Sequence, residues 1–220
     1  FTQSKSLCPA TSSKASSNWD NTSTYRFSNA PELGYSAYNL PHMIKASAFY
    51  RFHIANNKNF TTTIGVIYQG RSGSPYSMLY SGDLNGDNGR GNDLMFIPTD
   101  EQIDLMPFKA QGNYTEELQR QNLKAWLAKT PYLKDHRGEY FKRNADNLPF
   151  ENHFDFHVAE KMSVKVGKQV HSLELSLDIL NVGNLLNKDW GRTYGTTYSN
   201  ELISPLTYDG GKFQFLSTPD

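Results

Sequence analysis

The sequence predicts an all-β fold whose strands form part of the wall of a transmembrane antiparallel β-barrel. Four segments alternate apolar and polar side chains with a period of two, which is the pattern of a strand with one apolar face. Each segment is at least as long as the roughly 9 to 11 residues that a tilted strand needs to cross a bilayer, whereas strands of soluble domains cluster near 5 to 6. The connections are alternately short and very long, as in outer-membrane barrels.

The first part of the chain, residues 1–40, is polar and rich in Ser, Thr and Asn, and it predicts an extracellular loop with at most a brief strand. The chain starts at Phe1 without a methionine or a signal peptide, so we interpret it as a piece of a longer protein. Cys8 is the one cysteine, which excludes a disulfide within the chain and a CxxC site, and we expect a free thiol.

Residues 41–71 predict a β-hairpin with long strands, Ile44 to Ile54 and Phe60 to Arg71. The even positions of both strands are mostly apolar, and the odd positions carry most of the polar and charged side chains. The segment Asn56 to Asn59 predicts the turn, because asparagine tolerates left-handed backbone angles.

Residues 72–148 form a second extracellular loop, far longer than the roughly 12 to 15 residues usual for unstructured connections, so we expect it to be folded and functional. Its one predicted helix spans Tyr114 to Thr130, with Thr115 as the N-cap and Pro131 just past the end. Such a helix either packs the loop down or contacts a ligand or partner at the barrel mouth.

A second feature of this loop is a run of acidic and amide side chains among glycines, with D-x-N-x-D spacing that could present oxygen ligands to calcium. The candidate ligands are Asp83, Asn85, Asp87 and Asp93. The run departs from an EF-hand, because Asn88 takes the sixth position and Leu94 the twelfth. The alternative is a cluster of Asx and glycine turns held by local hydrogen bonds.

Residues 149–182 predict a second hairpin, with a short turn from Val166 to Gln169. In the first strand Phe150, Phe154, Phe156 and Val158 share one face, and in the second Leu173, Leu175, Leu177 and Ile179 do so. Residues 183–220 predict a loop and late strands, without the terminal strand that closes such a barrel.

Alternation alone does not separate lipid outside from a protein core inside. The alternative is a soluble, calcium-dependent, carbohydrate-binding β-sandwich, in which the same apolar residues pack against one another. They are Ile44, Tyr50, Ile64, Val66, Leu173 and Leu177.

Composition and motifs exclude several other classes. Acidic and basic residues balance at 22 each, which argues against a nucleic-acid partner, and no apolar run approaches the roughly 18 residues of a membrane helix. No G-x-S-x-G, HExxH, Walker or GxGxxG pattern is present, and His153 and His157 are poorly spaced on a strand for zinc. We therefore expect no enzymatic activity.

Several motifs in order resemble the C-terminal barrel portion of TonB-dependent outer-membrane receptors of Bacteroidota, in the carboxypeptidase-regulatory-like, Oar-like branch related to SusC-like transporters. The run from Asp178 to Gly191 resembles a late-barrel signature, and several linked motifs in order are more specific than any one of them. The other matching segments are Thr11 to Trp19, Pro41-His42, Ser72 to Ser77, Gly82 to Asp87, Asn92 to Pro98, Tyr132 to Tyr140 and Arg143-Asn144.

The resemblance implies a barrel of about 22 strands in the bacterial outer membrane, plugged by an N-terminal domain. It implies a receptor that imports an extracellular ligand with energy delivered by the TonB complex, in contact with outer-membrane lipid and, in SusC-like systems, with a surface lipoprotein. The plug, the TonB-contacting box and the terminal strand are expected outside this chain.

Binding residues in such a receptor lie on loops and on the lumen face. For ligand or partner contact the loops offer Tyr76, Tyr80, Trp126, Tyr132 and Arg137. The lumen-facing residues are expected to be Lys45, Arg51, His53, Glu151, His153, Asp155, His157, Glu174 and Asp178.

Overall fold

The computed structural model describes residues 1–195, 201–209 and 212–217. Two compact units are present. The sheet unit comprises residues 1–2, 40–73 and 149–194, and the loop unit comprises residues 3–39, 74–148 and the described part of 195–220. Both units are built from segments far apart in the chain.

The described residues are mostly β, with few helices, in agreement with the all-β prediction. The strands are β1 (Lys5–Ser6), β2 (Gly34–Tyr35), β3 (Met43–Phe52), β4 (Phe60–Arg71), β5 (Pro75–Tyr76), β6 (Leu79–Tyr80), β7 (Asp146–Asn147), β8 (Glu151–Val166), β9 (Gln169–Ile179), β10 (Glu201–Asp209) and β11 (Lys212–Ser217). The helices are α1 (Ala15–Asp20), α2 (Asp100–Leu105), α3 (Glu116–Lys129) and α4 (Pro131–Asp135), with 3₁₀ turns at Ile54–Asn56 and Val182–Leu185. Among these, no helix has the length and apolar character to cross a membrane.

The sheet unit is one antiparallel sheet in the order β3-β4-β8-β9, and the described strands close no barrel. Both predicted hairpins are present. The central pair, β4 with β8, joins residues from either side of the long loop, from Phe60 opposite Met162 to Arg71 opposite Glu151. The turn between β8 and β9 is tight, and Gly167 has a φ of 65° that suits glycine.

The register of this sheet confirms the predicted separation of apolar and polar faces. One row across the four strands runs Tyr50, Ile64, Val158 and Leu177, and the next runs Ala48, Val66, Phe156 and Ile179. Because side chains two residues apart share a face, the charged positions between these rows lie on the opposite face. These two rows are apolar across all four strands, and the adjoining row carries Thr62 and Glu160, whose side chains hydrogen-bond to each other.

The first hairpin turn differs from the prediction at its start. Strand β3 ends at Phe52, so His53 and Ile54 belong to the turn, and Ala55 adopts a left-handed φ of 50°. The reason is local: His53 Nδ1 lies 3.0 Å from the carbonyl oxygen of Phe60, which closes the hairpin two residues before the alternation ends. The alternating pattern therefore outlasts the strand.

The motif that follows β9 folds back onto the same sheet. Asn181 takes a left-handed φ of 56°, and its main-chain N–H donates to Asp155 Oδ1 at 2.8 Å. The side-chain amide of Asn184 donates to the carbonyl oxygen of Trp190 at 2.9 Å. Trp190 then stacks on Phe154 with 5.0 Å between ring centroids, so the asparagines of the motif serve to return an aromatic ring to the sheet.

The loop unit has a hydrophobic core of its own. Strands β10 and β11 form a hairpin that pairs with β6, and helices α3 and α4 pack in the same unit. The buried core residues are Met78, Tyr80, Met95, Ile97, Ile103, Phe108, Leu123, Leu127, Leu133, Phe141 and Ile203. This confirms that the long loop is folded.

The predicted helix from Tyr114 to Thr130 is confirmed as α3, and the Thr115 side chain accepts from the N–H of Leu118 at 3.2 Å as its N-cap. The prediction of a single helix was wrong, because α1, α2 and α4 are also present. Each has only five or six residues, too few to show a helical period. Helix α2 carries a capping box between Thr99 and Gln102 that was readable in the sequence.

Candidate binding cavity of the loop unit

A cavity of about 570 Å³ lies within the loop unit. Its walls come from the start of the chain and from the segment after α4. The residues lining the cavity are Lys5, Ser23, Thr24, Tyr25, Glu32, Leu33, Gly34, Tyr35, Leu94, Glu139, Tyr140, Phe141, Lys142 and Arg143. The volume is in the range of roughly 300 to 1,000 Å³ that small-molecule sites occupy.

Arg143 fastens the two walls together. Its guanidinium donates to the carbonyl oxygens of Leu7 at 2.7 Å and Glu32 at 3.2 Å, and also to that of Ser6. Burial lowers the pKa of Arg143 from its ordinary value. The neighbouring Asn144 side chain donates to the carbonyl oxygen of Tyr35 at 2.9 Å, so the Arg-Asn pair holds β1 and β2 from the same side.

Gly34 is required by the position of that guanidinium. A Cβ at residue 34 would lie 2.8 Å from Nε and 2.9 Å from Cβ of Arg143. Any larger residue would therefore displace the side chain that ties β1 and β2 to the other wall.

Tyrosine rings form much of the cavity wall. Tyr25 and Tyr140 stack with 4.7 Å between centroids, and Phe96 meets Tyr140 edge-on at 5.2 Å. The Tyr25 hydroxyl donates to Glu32 Oε1 at 2.6 Å, and this hydrogen bond raises the pKa of Tyr25. Tyr140 remains 43% exposed, so part of its ring surface is open.

The charges around the cavity are unequally neutralised. Glu32 Oε1 lies 3.5 Å from Arg26 Nε, and Glu139 Oε2 lies 3.8 Å from Lys142 Nζ. Lys5 Nζ instead lies over the ring of Tyr35, 5.3 Å from its centroid, with no ion pair in the described part of the chain. The acidic side chains are thus paired, while Lys5 and Arg143 keep positive charge at the cavity.

The five loop residues predicted to contact a ligand lie outside the lining of this cavity, and their contact with a ligand stays a prediction. Tyr80 is buried in the hydrophobic core of the loop unit, and Trp126 and Tyr132 pack against that core. The Tyr76 hydroxyl donates to Asp146, and Arg137 donates to the carbonyl oxygen of Pro98 at 2.6 Å. The four aromatic residues of this set contribute to the packing of the loop unit's own core.

The predicted calcium ligands form the turn cluster instead. Asp83 Oδ1 accepts from the N–H of Gly86 at 2.7 Å, and Asp93 Oδ2 accepts from the N–H of Leu84 at 2.6 Å. Asn85 Oδ1 accepts from the N–H of Asp87 at 2.9 Å. Within the described ranges no three His, Cys, Asp or Glu side chains lie close enough to hold a metal ion, so the structure lends no support to calcium here.

Asp87 makes this cluster sensitive to acid. Partial burial acts to raise the pKa of Asp87, but hydrogen bonds from the Ser28 hydroxyl and from the main chain of Gly89 and Ser28 outweigh it and lower the pKa below 3.8. The Ser28 N–H and hydroxyl both donate to Asp87 Oδ2, at 2.7 and 2.5 Å. Since the folded pKa is depressed, this stabilisation is present above about pH 4 and is lost as the pH falls through the folded value.

We therefore expect Ser28→Ala to lower the stability of the turn cluster by about 1 kcal/mol at pH 4 and by less at about pH 2. Cleavage by pepsin, measured at both pH values, reports this difference. Ser13→Ala, which alters an exposed serine of the same unit, serves as the control. An equal effect of Ser28→Ala at both pH values would contradict the assignment.

The residues predicted to face a lumen share one face of the sheet, with one exception. Lys45 lies opposite Gln69, and Gln69 lies opposite His153. His157 lies opposite Asp178, with 2.6 Å between His157 Nδ1 and Asp178 Oδ1. Arg51, Asp155 and Glu174 follow the same register, and Glu151 is buried beside Arg71 Nε at 2.7 Å. The exception is His53, which lies in the turn.

Comparisons of the chain with protein-family models, with curated proteins and with solved structures gave no match.

The cavity could not be predicted from the sequence, because its lining comes from distant segments: Lys5, residues 23–25 and 32–35, Leu94 and residues 139–143. The Arg143-Asn144 pair and the tyrosines were visible, but nothing in their spacing placed them together. One signal was available, because an arginine next to an asparagine in a loop is a strong donor pair for main-chain carbonyl groups.

Proposed function

We propose that this chain is the C-terminal barrel portion of a TonB-dependent outer-membrane receptor, which binds an extracellular ligand and imports it through a plugged barrel. The observation that carries the proposal is the exposed apolar face of the sheet unit. On β9 alone, Leu173, Leu175 and Leu177 are 65%, 77% and 57% exposed.

The extent of this face is what favours lipid. Exposed apolar side chains continue across all four strands, from Ile44 and Tyr50 on β3 to Val164 and Val166 at the end of β8. Contiguous apolar patches of this kind are rare on soluble monomers and mark contact with a membrane or a partner. In hydrocarbon the same surface carries no hydrophobic penalty.

Aromatic rings lie at both ends of the apolar face. Tyr68, Phe154 and Trp190 stack near the long-loop end, with 4.6 and 5.0 Å between successive centroids. Tyr50 and Phe52 stack at 5.7 Å near the turn end of β3. Two aromatic girdles with an aliphatic band between them are typical of outer-membrane barrel walls.

The edges of the sheet support its membership in a larger barrel. Within the described residues, the outer sides of β3 and β9 pair with no other strand. Unpaired N–H and C=O groups cost several kcal/mol each in hydrocarbon, so strands in a bilayer need partners on both sides. A barrel of about 22 strands would supply them and would leave the polar face toward the lumen and the plug.

In this proposal the loop unit is extracellular, and its cavity is the place where ligand is met. The implied partners are outer-membrane lipid, the TonB complex acting through an N-terminal plug, and a surface lipoprotein in systems of the SusC type. The chain acts by binding and gating, without making or breaking bonds.

The soluble carbohydrate-binding sandwich is less well supported. It requires Ile44, Tyr50, Ile64, Val66, Leu173 and Leu177 to pack against one another across two sheets. All six are exposed, at 36% or more. In the part of the chain that the structure describes, no group of three His, Cys, Asp or Glu side chains is placed to hold the calcium that this alternative requires.

Site-directed spin labelling tests the proposal directly. Cys8→Ser removes the one cysteine of this chain, and Leu175→Cys and Ser176→Cys are each labelled in a receptor background freed of any other reactive cysteine. The two positions are adjacent, both exposed and on opposite faces of β9, so only their surroundings distinguish them. In the membrane-embedded protein, we expect the label at 175 to be relaxed by oxygen, which partitions into lipid, and the label at 176 by a water-soluble nickel chelate.

A label at 175 that is protected from both reagents would overturn the receptor proposal, because that side chain would then be packed against protein. A label at 175 that prefers the nickel chelate would overturn it as well, since the face would be in water.

A further inference from the structure

We propose that the cavity of the loop unit binds a short acidic oligosaccharide, through a carboxylate of the sugar at Lys5 and a sugar ring against Tyr140. This inference rests on the proposed function in taking the loop unit as the part of the receptor that meets ligand outside the cell. It goes beyond it by naming the chemical class of that ligand.

The balance of charge selects an anion. Glu32 and Glu139 each lie beside a basic side chain, as described above. Among the described residues, Lys5 lies over the Tyr35 ring without an ion pair, and the Arg143 guanidinium donates to main-chain carbonyl oxygens. The Arg143 guanidinium is hydrogen-bonded to those carbonyl groups, so its contribution to anion binding is a fixed positive electrostatic potential in the cavity. Lys5 is exposed and has donors left over, so it is the group that can meet an incoming carboxylate.

The tyrosines select a ligand with a flat or ring-shaped apolar face. Tyr25 and Tyr140 are held as a stacked pair, with Phe96 behind Tyr140, so the open part of the Tyr140 ring is already fixed in place. Rigid aromatic surface gives contact area at a small cost in side-chain entropy. The hydroxyl groups of Ser23 and Tyr140 add donors and acceptors beside the rings for the hydroxyl groups of a sugar.

The cavity suits a saccharide better than an extended peptide. Peptides in a groove are commonly recognised by pairing with a free strand edge. The strands at this cavity, β1 and β2, are two residues long and pair with each other, and carbonyl groups beside them are occupied by Arg143 and Asn144. The lining therefore offers mainly side chains, and its volume of about 570 Å³ fits a short oligomer.

The test is calorimetric titration of the intact receptor in detergent with trigalacturonate, and with maltotriose as a neutral trisaccharide of similar size. We expect trigalacturonate to bind and maltotriose to bind at least about tenfold more weakly. Lys5→Met is expected to weaken trigalacturonate binding by about tenfold or more, and Tyr140→Leu by about threefold to tenfold.

The control variants make the same types of substitution, Lys to Met and Tyr to Leu, at positions outside the cavity. Lys14→Met and Tyr38→Leu alter exposed residues of the loop unit that do not line the cavity, and both are expected to bind like the parent. Tyr140→Phe keeps the ring and should retain most of the affinity, which separates loss of the wall from loss of folding.

Three results would overturn the inference: no binding of trigalacturonate, equal binding of the two sugars, or binding that Lys5→Met leaves unchanged. Binding of a short acidic peptide in place of the sugar, abolished by Lys5→Met, would also overturn it. The spin-label result is independent. A lipid signal at 175 without sugar binding removes this inference alone, and sugar binding with an aqueous signal at 175 removes the receptor proposal.

Discussion

Leu177→Arg is expected to prevent most of the protein from assembling in the outer membrane. Leu177 is 57% exposed on the apolar face of β9, opposite Val158 of β8, and the proposed receptor turns this face toward lipid. An arginine at the lipid-facing midplane of such a barrel costs about 2 to 4 kcal/mol. The amount of folded protein in outer-membrane fractions, measured by the shift in gel mobility that barrels show on heating, reports the loss.

Ser176→Arg is the matched control, because it adds the same side chain at the adjacent position of the strand, on the polar face. We expect assembly of this variant to be close to that of the parent. Equal loss in both variants would indicate that β9 is intolerant of arginine in general and would remove the support for a lipid-facing side.

Arg143→Met is expected to detach residues 3–39 from the rest of the loop unit, at a cost of about 3 kcal/mol or more. The guanidinium is buried and donates to the carbonyl oxygens of Ser6, Leu7 and Glu32. Methionine has no N–H to donate, so the three carbonyl oxygens would lose this hydrogen-bond donor. A lysine, which has one side-chain nitrogen, could not reach all three. Hydrogen exchange measured by mass spectrometry should show faster exchange throughout residues 3–39.

Arg26→Met is the control for loss of an arginine in the same region. Arg26 is exposed and pairs with the exposed Glu32 at 3.5 Å, so its removal should cost no more than about 1 kcal/mol. If Arg143→Met left exchange in residues 3–39 unchanged, the role of Arg143 as the tie between the two walls would be refuted.

The strands of the sheet unit could be predicted because one factor largely determines whether each residue is apolar or polar, namely the face of the sheet on which its side chain lies. The period of two in β3, β4, β8 and β9 follows directly from that factor. The early end of β3 could not be predicted, since the hydrogen bond that closes the turn involves His53 and Phe60, which the alternation treats as ordinary strand positions.

The loop unit was predictable only in part. Helix α3 is long and capped, but α1, α2 and α4 depend on tertiary contacts, because helices of that length are not stable alone. Tyr80 was expected to meet ligand because it lies in a loop, yet it is 6% exposed. A loop large enough to have its own core buries aromatic residues as a domain does.

The candidate cavity could not be predicted at all from the order of residues. Lys5 and Lys142 line the same cavity although they lie far apart in the sequence. Their proximity depends on Arg143 and Asn144, whose hydrogen bonds to the main chain of β1, β2 and their neighbours have no periodic pattern in sequence.

The insertion between β4 and β8 has closed ends: the N–H of Leu148 donates to the carbonyl oxygen of Ser74 at 3.0 Å, and β5 pairs with β7 beside it. For a flexible connection of this length, bringing the ends together would cost on the order of 4 kcal/mol of entropy. Closure of the insertion by these contacts removes much of that cost from the pairing of Arg71 with Glu151. Changes inside the insertion that keep the closing contacts therefore leave the register of the two central strands unaltered.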